Sequence, residues 1–222
     1  MKNNIILYLN QDELFTFPIA HFLINELNHK YNFIIKLGKT SIRKKIKILL
    51  IIFFEGSILK LFKYYKNKMS LKELLKQKNV YLMDIQNNKD FDFGISINYP
   101  IKIYLQKYNI YNFHLGNFKN QKGSFIFYYK KIYNWNTVDL TFHLIDDKLD
   151  NGPIIRTKTI NVKNNTALDI ISLSLVHKDF FLDSINNIKK EVKHIHSYEN
   201  RNKVNYEPSF LHILSKFLKN YM

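Results

Sequence analysis

The sequence predicts an α/β fold in which a mostly parallel β-sheet is flanked by helices. Two observations support this prediction: short apolar runs alternate with segments of helical spacing, and polar residues collect where the apolar runs end. At 222 residues the chain is long for one domain and short for two, and it can bury a sizeable core. We expect one domain over residues 1–192, followed by a short appendage of a turn and a helix over residues 193–222.

The strands are predicted from runs rich in Ile, Leu, Val, Phe and Tyr that are bounded by Asn, Asp, Gly or Pro. Such runs are typical of strands buried in a parallel sheet, where helices cover both faces. The predicted strands, in chain order, cover residues 4–9, 31–37, 80–83, 92–97, 108–114, 137–145 and 154–162. Ligands of such sheets bind at the carboxyl ends of the strands, which directs attention to the residues that follow each run.

The helices are predicted from apolar residues that recur every three to four positions. Ser70 and Glu73 form a capping-box pattern at the start of one of them. The predicted helices cover residues 13–27, 41–66 as one or two basic helices broken at Gly56, 70–77, 101–108, 166–190 and 208–218. The apolar run 48–54 is far shorter than the roughly 20 residues of a membrane-spanning helix. We favour a helix or strand buried against the core there over a segment that touches a membrane surface.

Composition narrows the class of partner without selecting one. Lys and Arg number 34 against 18 Asp and Glu, and this net charge of +16 favours phosphorylated metabolites, nucleic acid or acidic membrane surfaces. The chain has no cysteine, which excludes disulfides and thiolate metal sites. Residues 1–9 become polar too soon for a signal peptide, and His194 and His196 lack an apparent third ligand. We therefore expect a cytoplasmic protein with no membrane span and no bound metal.

Three polar residues are the candidates for catalysis. Asn112 and His114 lie two apart on a predicted strand, so their side chains point to one face, and Asp150 precedes a turn marked by Asn151-Gly152-Pro153. Acyl transfer to an amine requires a group that handles protons and donors that stabilise an oxyanion. A carboxylate, an imidazole and an amide suit those tasks. Taken alone, the three residues are more typical of a hydrogen-bonded core histidine and a polar turn than of a catalytic site.

The surroundings of these residues resemble the formyltransferase family that uses N10-formyltetrahydrofolate. The matching segments, which cover the chain best from about residue 92 to residue 162, are Asn112-Phe113-His114, Gly123, Thr141-Phe142-His143 and Leu149-Asp150-Asn151-Gly152-Pro153-Ile154-Ile155. The resemblance implies a Rossmann-like formyltransferase fold, with Asn112, His114 and Asp150 as the catalytic residues and His143 as a supporting one. It also implies N10-formyltetrahydrofolate as the formyl donor, with no metal.

By the same resemblance, two segments would form the walls of the folate pocket. The strand and loop over 92–103 would grip the pterin, and the turn over 146–150 would lie opposite. The residues implied in folate binding are Asn98, Tyr99, Pro100, Ile101, Asp146 and Asp147.

Departures from the family pattern direct the choice of acceptor. The family's proline-rich loop after the histidine is replaced by Leu115-Gly116-Asn117-Phe118, which leaves the shape of that loop open. The first strand is followed by Asn10-Gln11-Asp12-Glu13 rather than by the glycine-rich phosphate loop of the glycinamide ribonucleotide enzymes. Only 72 residues follow Asp150, too few for the tRNA-binding domain of the methionyl-tRNA enzymes. These features favour the sugar branch, whose acceptor is a nucleotide-linked amino sugar.

Alternatives remain at the level of sequence. The chain is also compatible with a formyltransferase of the glycinamide ribonucleotide type, with a basic nucleic-acid-binding module, and with a degenerate formyltransferase fold that binds folate without turnover. The leading interpretation involves folate and a nucleotide-linked amino sugar, but no nucleic acid. The apolar C-terminal helix is one that can pair two chains, so a homodimer is compatible with the sequence.

Overall fold

A seven-stranded sheet organises the chain. The computed structural model describes residues 2–66, 68–83, 90–104, 106–148, 150–191 and 206–218. The strands are β1 (Asn3–Asn10), β2 (Tyr31–Gly38), β3 (Val80–Leu82), β4 (Phe93–Ile97), β5 (Asn109–Leu115), β6 (Thr137–Leu144) and β7 (Ile154–Asn161). Their order across the sheet is β3-β2-β1-β4-β5-β6-β7. The first five strands are parallel, whereas β6 runs antiparallel to both of its neighbours. The predicted mostly parallel α/β fold is confirmed.

Helices pack against the sheet. They are α1 (Thr16–Leu27), α2 (Ile42–Phe54), α3 (Ile58–Lys66), α4 (Leu71–Leu75), α5 (Ile126–Ile132), α6 (Ala167–Ile171), α7 (Leu173–Val176), α8 (Lys178–Glu191) and α9 (Phe210–Leu218). The predicted break at Gly56 and the predicted capping box before α4 are both present. None of these helices is long and apolar enough to cross a membrane, among the residues that the structure describes.

Alternation along β1 explains how the layers assemble. Ile5, Leu7 and Leu9 point into the large core, which also takes up α1 and α8. Ile6 and Tyr8 point to the other face and pack with Ile110 in a smaller cluster. A third cluster joins α2, α5, α6 and α9, and within it Ile213 and Phe217 of α9 are almost fully buried. The C-terminal helix is thereby attached to the wall of the domain formed by α2.

The predicted helix at 101–108 is wrong, because the described residues of this segment form no helix. Ile103 and Tyr108 instead pack as separate anchors on the smaller cluster, and the Tyr108 hydroxyl is 2.8 Å from that of Tyr8. Ile101 and Tyr104 remain exposed. The segment therefore covers one face of the sheet in an irregular conformation that tertiary contacts specify.

The single helix predicted over 166–190 is divided into α6, α7 and α8. Thr166 and Asp169 form a capping box that starts α6, and Ser172 donates its hydroxyl hydrogen bond to the Asp169 carbonyl. Tighter backbone bonds follow: Leu175 N–H donates to the Ser172 carbonyl, and Phe180 N–H donates to the His177 carbonyl. These i-to-i+3 bonds are typical of the short turns that interrupt α-helices.

The apolar run 48–54 lies within α2, where Ile51 and Ile52 are buried as expected while Leu49 and Phe53 are exposed. The turn predicted after residue 192 and the histidines His194 and His196 lie outside the described residues.

Substitution of two glycines by alanine compares the cost of a steric clash with the cost of an unfavourable backbone conformation. A Cβ on Gly152 would lie 1.8 Å from the Leu144 carbonyl oxygen, whereas one on Gly56 would meet no atom within 4 Å. Gly56 has a left-handed φ of 68°, so Gly56→Ala should cost about 1 kcal/mol of unfolding free energy. Gly152→Ala should cost more than about 3 kcal/mol, because the turn must move away from β6. Equal losses in urea unfolding of the two variants would contradict this assignment.

Candidate active site

A cavity of about 830 Å³ opens at the carboxyl ends of β1, β4 and β5, within the size range of ligand-binding pockets. All nine residues predicted for catalysis or folate binding line it, namely Asn98, Tyr99, Pro100, Ile101, Asn112, His114, Asp146, Asp147 and Asp150. The fold thus brings together residues that are up to 52 positions apart (98 to 150) in the sequence. Their individual roles remain predictions.

Asp150 is the buried carboxylate of the site. Its side chain is 7% exposed, and its Oδ2 accepts a 2.7 Å hydrogen bond from the Gly123 backbone N–H. The residue has a left-handed φ of 44°, which Asp tolerates better than most residues, and the turn then closes against β6 at Gly152. This tight turn positions the carboxylate between two histidines rather than in solvent.

His114 lies on β5 with both ring nitrogens directed at protein atoms. Its Nε2 is 2.9 Å from the Gln121 carbonyl oxygen, which can only accept, so Nε2 carries a hydrogen. Its Nδ1 is 3.6 Å from Asp150 Oδ2. A proton on Nδ1 would therefore face a carboxylate oxygen, and Nδ1 is the nitrogen left to serve a reaction.

Asn112 and His143 are directly opposite residues of β5 and β6. His143 donates from Nδ1 to the Leu144 carbonyl at 2.9 Å, so its Nε2 accepts the 3.1 Å bond from the Asn112 amide nitrogen. Burial lowers the pKa of His143 from 6.5 to about 4, partly opposed by Asp150, whose Oδ1 is 4.0 Å from Nε2. The neutral imidazole fixes the Asn112 amide group, and the second amide N–H has no protein partner among the described residues.

The loop that replaces the proline-rich segment is held by Gln121. Its buried side-chain carbonyl accepts from the N–H groups of Asn117 and Asp139, and its amide nitrogen donates to the Thr137 carbonyl at 2.9 Å. The Thr141 hydroxyl donates to the carbonyl of Gly116, which has a φ of 138°. These bonds tie the loop to β6. They also place the backbone carbonyl of Gln121 against His114.

The opposite wall contains a carboxyl group that sequence reasoning did not select. Glu13 Oε2 accepts from the Thr16 hydroxyl at 2.7 Å and from the Asn98 amide at 3.0 Å, while the buried Oε1 has no hydrogen-bond partner among the residues that the structure describes. Burial raises the pKa of Glu13, against the opposing effect of these hydrogen bonds. Beside it, Tyr99 and Pro100 pack against Gly38, where a Cβ would lie 2.7 Å from the tyrosine ring. Asn98 and Tyr99 thus have fixed positions.

The turn after β6 supplies the facing wall. Asp146 accepts from the Lys148 N–H at 3.0 Å and from the Asn151 amide at 3.2 Å, an arrangement that shapes the turn leading to Asp150. Leu149 lies outside the described residues.

Helix α2 and the C-terminal segment add a basic side to the cavity. Lys44 lies 5.6 Å from the Phe125 ring centroid, and burial lowers its pKa, partly offset by Glu207. Lys45 pairs with Asp12 at 2.8 Å, and the buried Lys47 pairs with Glu207 at 2.7 Å. No sequence pattern indicated this side of the site, because its residues come from segments about 160 positions apart.

Comparison with known proteins identifies the fold. No protein-family model matches the chain, and no curated protein matches it in sequence. Among solved structures, an N-formyltransferase from Helicobacter canadensis in complex with folinic acid and dTDP-3-aminofucose is 14% identical, with 93% of this chain and 71% of that chain covered and a TM-score of 0.61.

Two further solved structures share the fold but are named for other acceptors. The phosphoribosylglycinamide formyltransferase from Anaplasma phagocytophilum is 12% identical, with 94% of this chain and 100% of that chain covered and a TM-score of 0.58. The methionyl-tRNA formyltransferase from Clostridium thermocellum is 13% identical, with 94% and 74% covered and a TM-score of 0.52. The chain has the formyltransferase fold, as its motifs predicted.

The depressed pKa of His143 predicts a pH dependence of stability. Between about pH 6.5 and about pH 4 the unfolded chain binds a proton at this histidine and the folded protein does not. The neutral His143 therefore makes its full contribution to the free energy of unfolding above pH 6.5. On the order of 3 kcal/mol of that free energy is lost as the pH falls toward 4. Urea unfolding of the wild type and of His143→Gln should show a stability difference that changes across this window. A difference that stays constant with pH would refute a neutral, buried His143.

Proposed function

We propose that the protein transfers a formyl group from N10-formyltetrahydrofolate to the primary amine of a nucleotide-linked amino sugar. One observation carries this proposal: Asn112, His114 and Asp150 line one cavity, where His114 Nδ1 lies 3.6 Å from Asp150 Oδ2 and His143 contacts both Asn112 and Asp150. An amide, an imidazole and a buried carboxylate are the groups that acyl transfer to an amine requires.

The cavity suits a folate donor. Formyltetrahydrofolate supplies an activated formyl group on a nitrogen that departs once it has gained a proton. The cavity offers an apolar and aromatic lining, with Tyr99, Ile103 and Phe125 among it, and polar groups at one end. This combination fits a flat, amphipathic ligand. The segments 98–101 and 146–147 stand on either side of the site, where the resemblance to the family assigns the pterin.

Each catalytic group has a defined task. The Asn112 N–H that has no partner among the described residues and the imidazole of His114 stabilise the oxygen of the formyl group as the amine attacks and that oxygen gains negative charge. Asp150 accepts the proton that the amine loses, directly or through water, and the proton passes on to the departing nitrogen. Formation of the new C–N bond and breakage of the old one leave a formamide and the deformylated folate.

The polar environment after β1 favours a sugar nucleotide over glycinamide ribonucleotide. Backbone amides there are already used, since Gln11 N–H donates to the Gly38 carbonyl and Asp12 N–H to the Asn10 side chain. Lys45 is engaged there too, because it pairs with Asp12 at 2.8 Å. Lys44 and Lys68 also line the cavity and are suited to a diphosphate. The Helicobacter canadensis structure, with its dTDP-sugar, supports the same class of acceptor.

The nucleic-acid alternative has less support. Tyr128, next to Lys130 in the aromatic and basic run of α5, is 1% exposed and cannot stack on bases. Lys130 donates to the carbonyls of Lys163 and Asn165, so it is engaged within the protein.

Location and assembly complete the proposal. We place the reaction in the cytoplasm, as the absence of cysteine suggested. The exposed Leu211 and Leu218 of α9 would supply the apolar contact of a homodimer.

Asp150→Asn tests the catalytic assignment. Asparagine accommodates the left-handed backbone and keeps an acceptor for Gly123 N–H, but it cannot take up the amine proton. Turnover of formyltetrahydrofolate with an amino-sugar nucleotide should fall at least about 100-fold, with folate binding largely retained in calorimetry. Asp179→Asn on the exposed surface of α8 serves as the control. Near-normal turnover by the Asp150 variant would rule out the proposed mechanism.

Lys44→Met tests the position of the acceptor. If Lys44 binds the diphosphate, the KM for the sugar nucleotide should rise roughly 10-fold, since a charge-assisted contact contributes about 1.5–3 kcal/mol. The KM for the folate should remain unchanged. Lys72→Met on exposed α4 is the matched control, and an unaltered acceptor KM would place the diphosphate elsewhere.

A further inference from the structure

Helix α2 presents an apolar stripe to solvent. Ile42, Ile46, Leu49 and Phe53 are 75%, 45%, 42% and 60% exposed. Their spacing of four, three and four residues places them on one side of the helix. A helix packed on a globular core needs a single apolar side, and α2 already has one in Ile51 and Ile52, which are buried. The outward stripe is therefore not required for the fold.

Helix α3, which follows the turn at Gly56, also exposes large apolar side chains. Leu59 and Phe62 are 79% and 66% exposed, and the lysines Lys63 and Lys66 lie on the same exposed side. We call the six apolar residues of this surface the α2–α3 face; they are Ile42, Ile46, Leu49, Phe53, Leu59 and Phe62.

The charges around the α2–α3 face are almost entirely positive. Residues 41–66 contain seven Lys or Arg and one acid, Glu55. The Glu55 side chain is buried, accepts from the Ala167 N–H and lies 3.7 Å from Lys131. Arg43, Lys63 and Lys66 pair with no acid among the described residues, whereas Lys60 contacts Asp169 at 3.3 Å.

We propose that the α2–α3 face docks the protein onto an anionic lipid bilayer. Large apolar side chains flanked by cations fit the boundary between acyl chains and anionic headgroups, where lysine stems extend to place their charges among the phosphates. Phe53 and Phe62 would supply most of the apolar burial. Arg43 and Lys63 would supply the attraction to the surface.

A second copy of the chain fits the face less well. A two-fold interface places the same patch on both subunits, so the cations of one copy would approach those of the other. The surface offers no exposed acid between residues 41 and 66 to offset that repulsion.

Docking would also bring the cavity to the bilayer. Leu49 belongs to the face and lines the cavity, and so does the half-exposed Tyr65 of α3. The proposal goes beyond the proposed function and stands apart from it, because binding to vesicles requires no turnover.

Vesicle co-sedimentation with the full chain tests the proposal. The probes are vesicles of phosphatidylcholine alone and vesicles of equal parts phosphatidylcholine and phosphatidylglycerol. We expect binding to the anionic vesicles that weakens with added salt, and little binding to the neutral ones. Phe53→Ser with Phe62→Ser should weaken binding roughly 100-fold, and Arg43→Gln with Lys63→Gln roughly 30-fold.

Matched variants elsewhere separate this face from general stickiness. Val176→Ser removes an apolar side chain of similar exposure on α7, and Lys72→Gln removes an exposed cation on α4; both should bind as the wild type does. Circular dichroism and thermal unfolding verify that each variant is folded.

Four results would overturn the proposal. The first is an absence of binding to anionic vesicles, and the second is equal weakening by the control variants. The third is light scattering that shows a dimer lost in Phe53→Ser with Phe62→Ser, together with no vesicle binding, which would assign the face to a second copy. Capture of a polyglutamate peptide without vesicle binding would likewise assign it to an acidic protein.

Discussion

The site depends on the need to pair a buried carboxylate. Asp150 has almost no access to solvent, and a bare carboxylate in such a position is costly unless hydrogen-bond donors surround it. The Gly123 N–H meets that need from the loop after β5, and His114 and His143 approach from the two antiparallel strands. One carboxylate therefore joins the loop, β5 and β6, and in the proposed reaction it is the group that accepts the proton of the amine.

The electrostatics of the two histidines differ because their hydrogen bonds differ. His143 is fixed as a neutral acceptor for Asn112 by the bond it donates to the Leu144 carbonyl. His114 donates to the Gln121 carbonyl and turns its other nitrogen toward Asp150. One imidazole thereby orients an amide, and the other lies between a backbone carbonyl and a carboxylate. The two rings differ because each donates a hydrogen bond to a different backbone carbonyl, that of Leu144 for His143 and that of Gln121 for His114.

The sequence predicted best the strands and the residues that line the cavity, because both rest on local patterns. Buried strands are continuous apolar runs, and Asn112 and His114 follow from a period of two on one strand. The helix expected at 101–108 was wrong because contacts of Ile103 and Tyr108 with a distant cluster decide its conformation. Gln121 and Glu13 were missed for the same reason: their importance comes from partners that only the fold brings near. No local pattern marks a backbone carbonyl as the partner of a histidine.

The shared fold and the acceptor belong to different parts of the molecule. Solved structures named for three acceptors share this fold, so the fold alone does not select the acceptor. The Asp12–Glu13 turn and residues of helices α2 and α3 line the cavity. A substrate bound there would meet these segments as well as the residues at the strand ends.

The ion pair between Lys47 and Glu207 has a consequence for the way the molecule is built. The two residues are separated by 160 positions in the sequence. The hydrogen bond from the Ala167 N–H to Glu55 likewise joins residues that are 112 positions apart. Contacts of such long range form late, because the loop between them must be closed before any stabilisation is gained. During synthesis the strands β1 and β2 can pair early, whereas the ion pair between Lys47 of α2 and Glu207 can form only after residue 207 has been synthesised. The sheet is thus an early product of folding, and the chamber that would hold the acceptor is completed last.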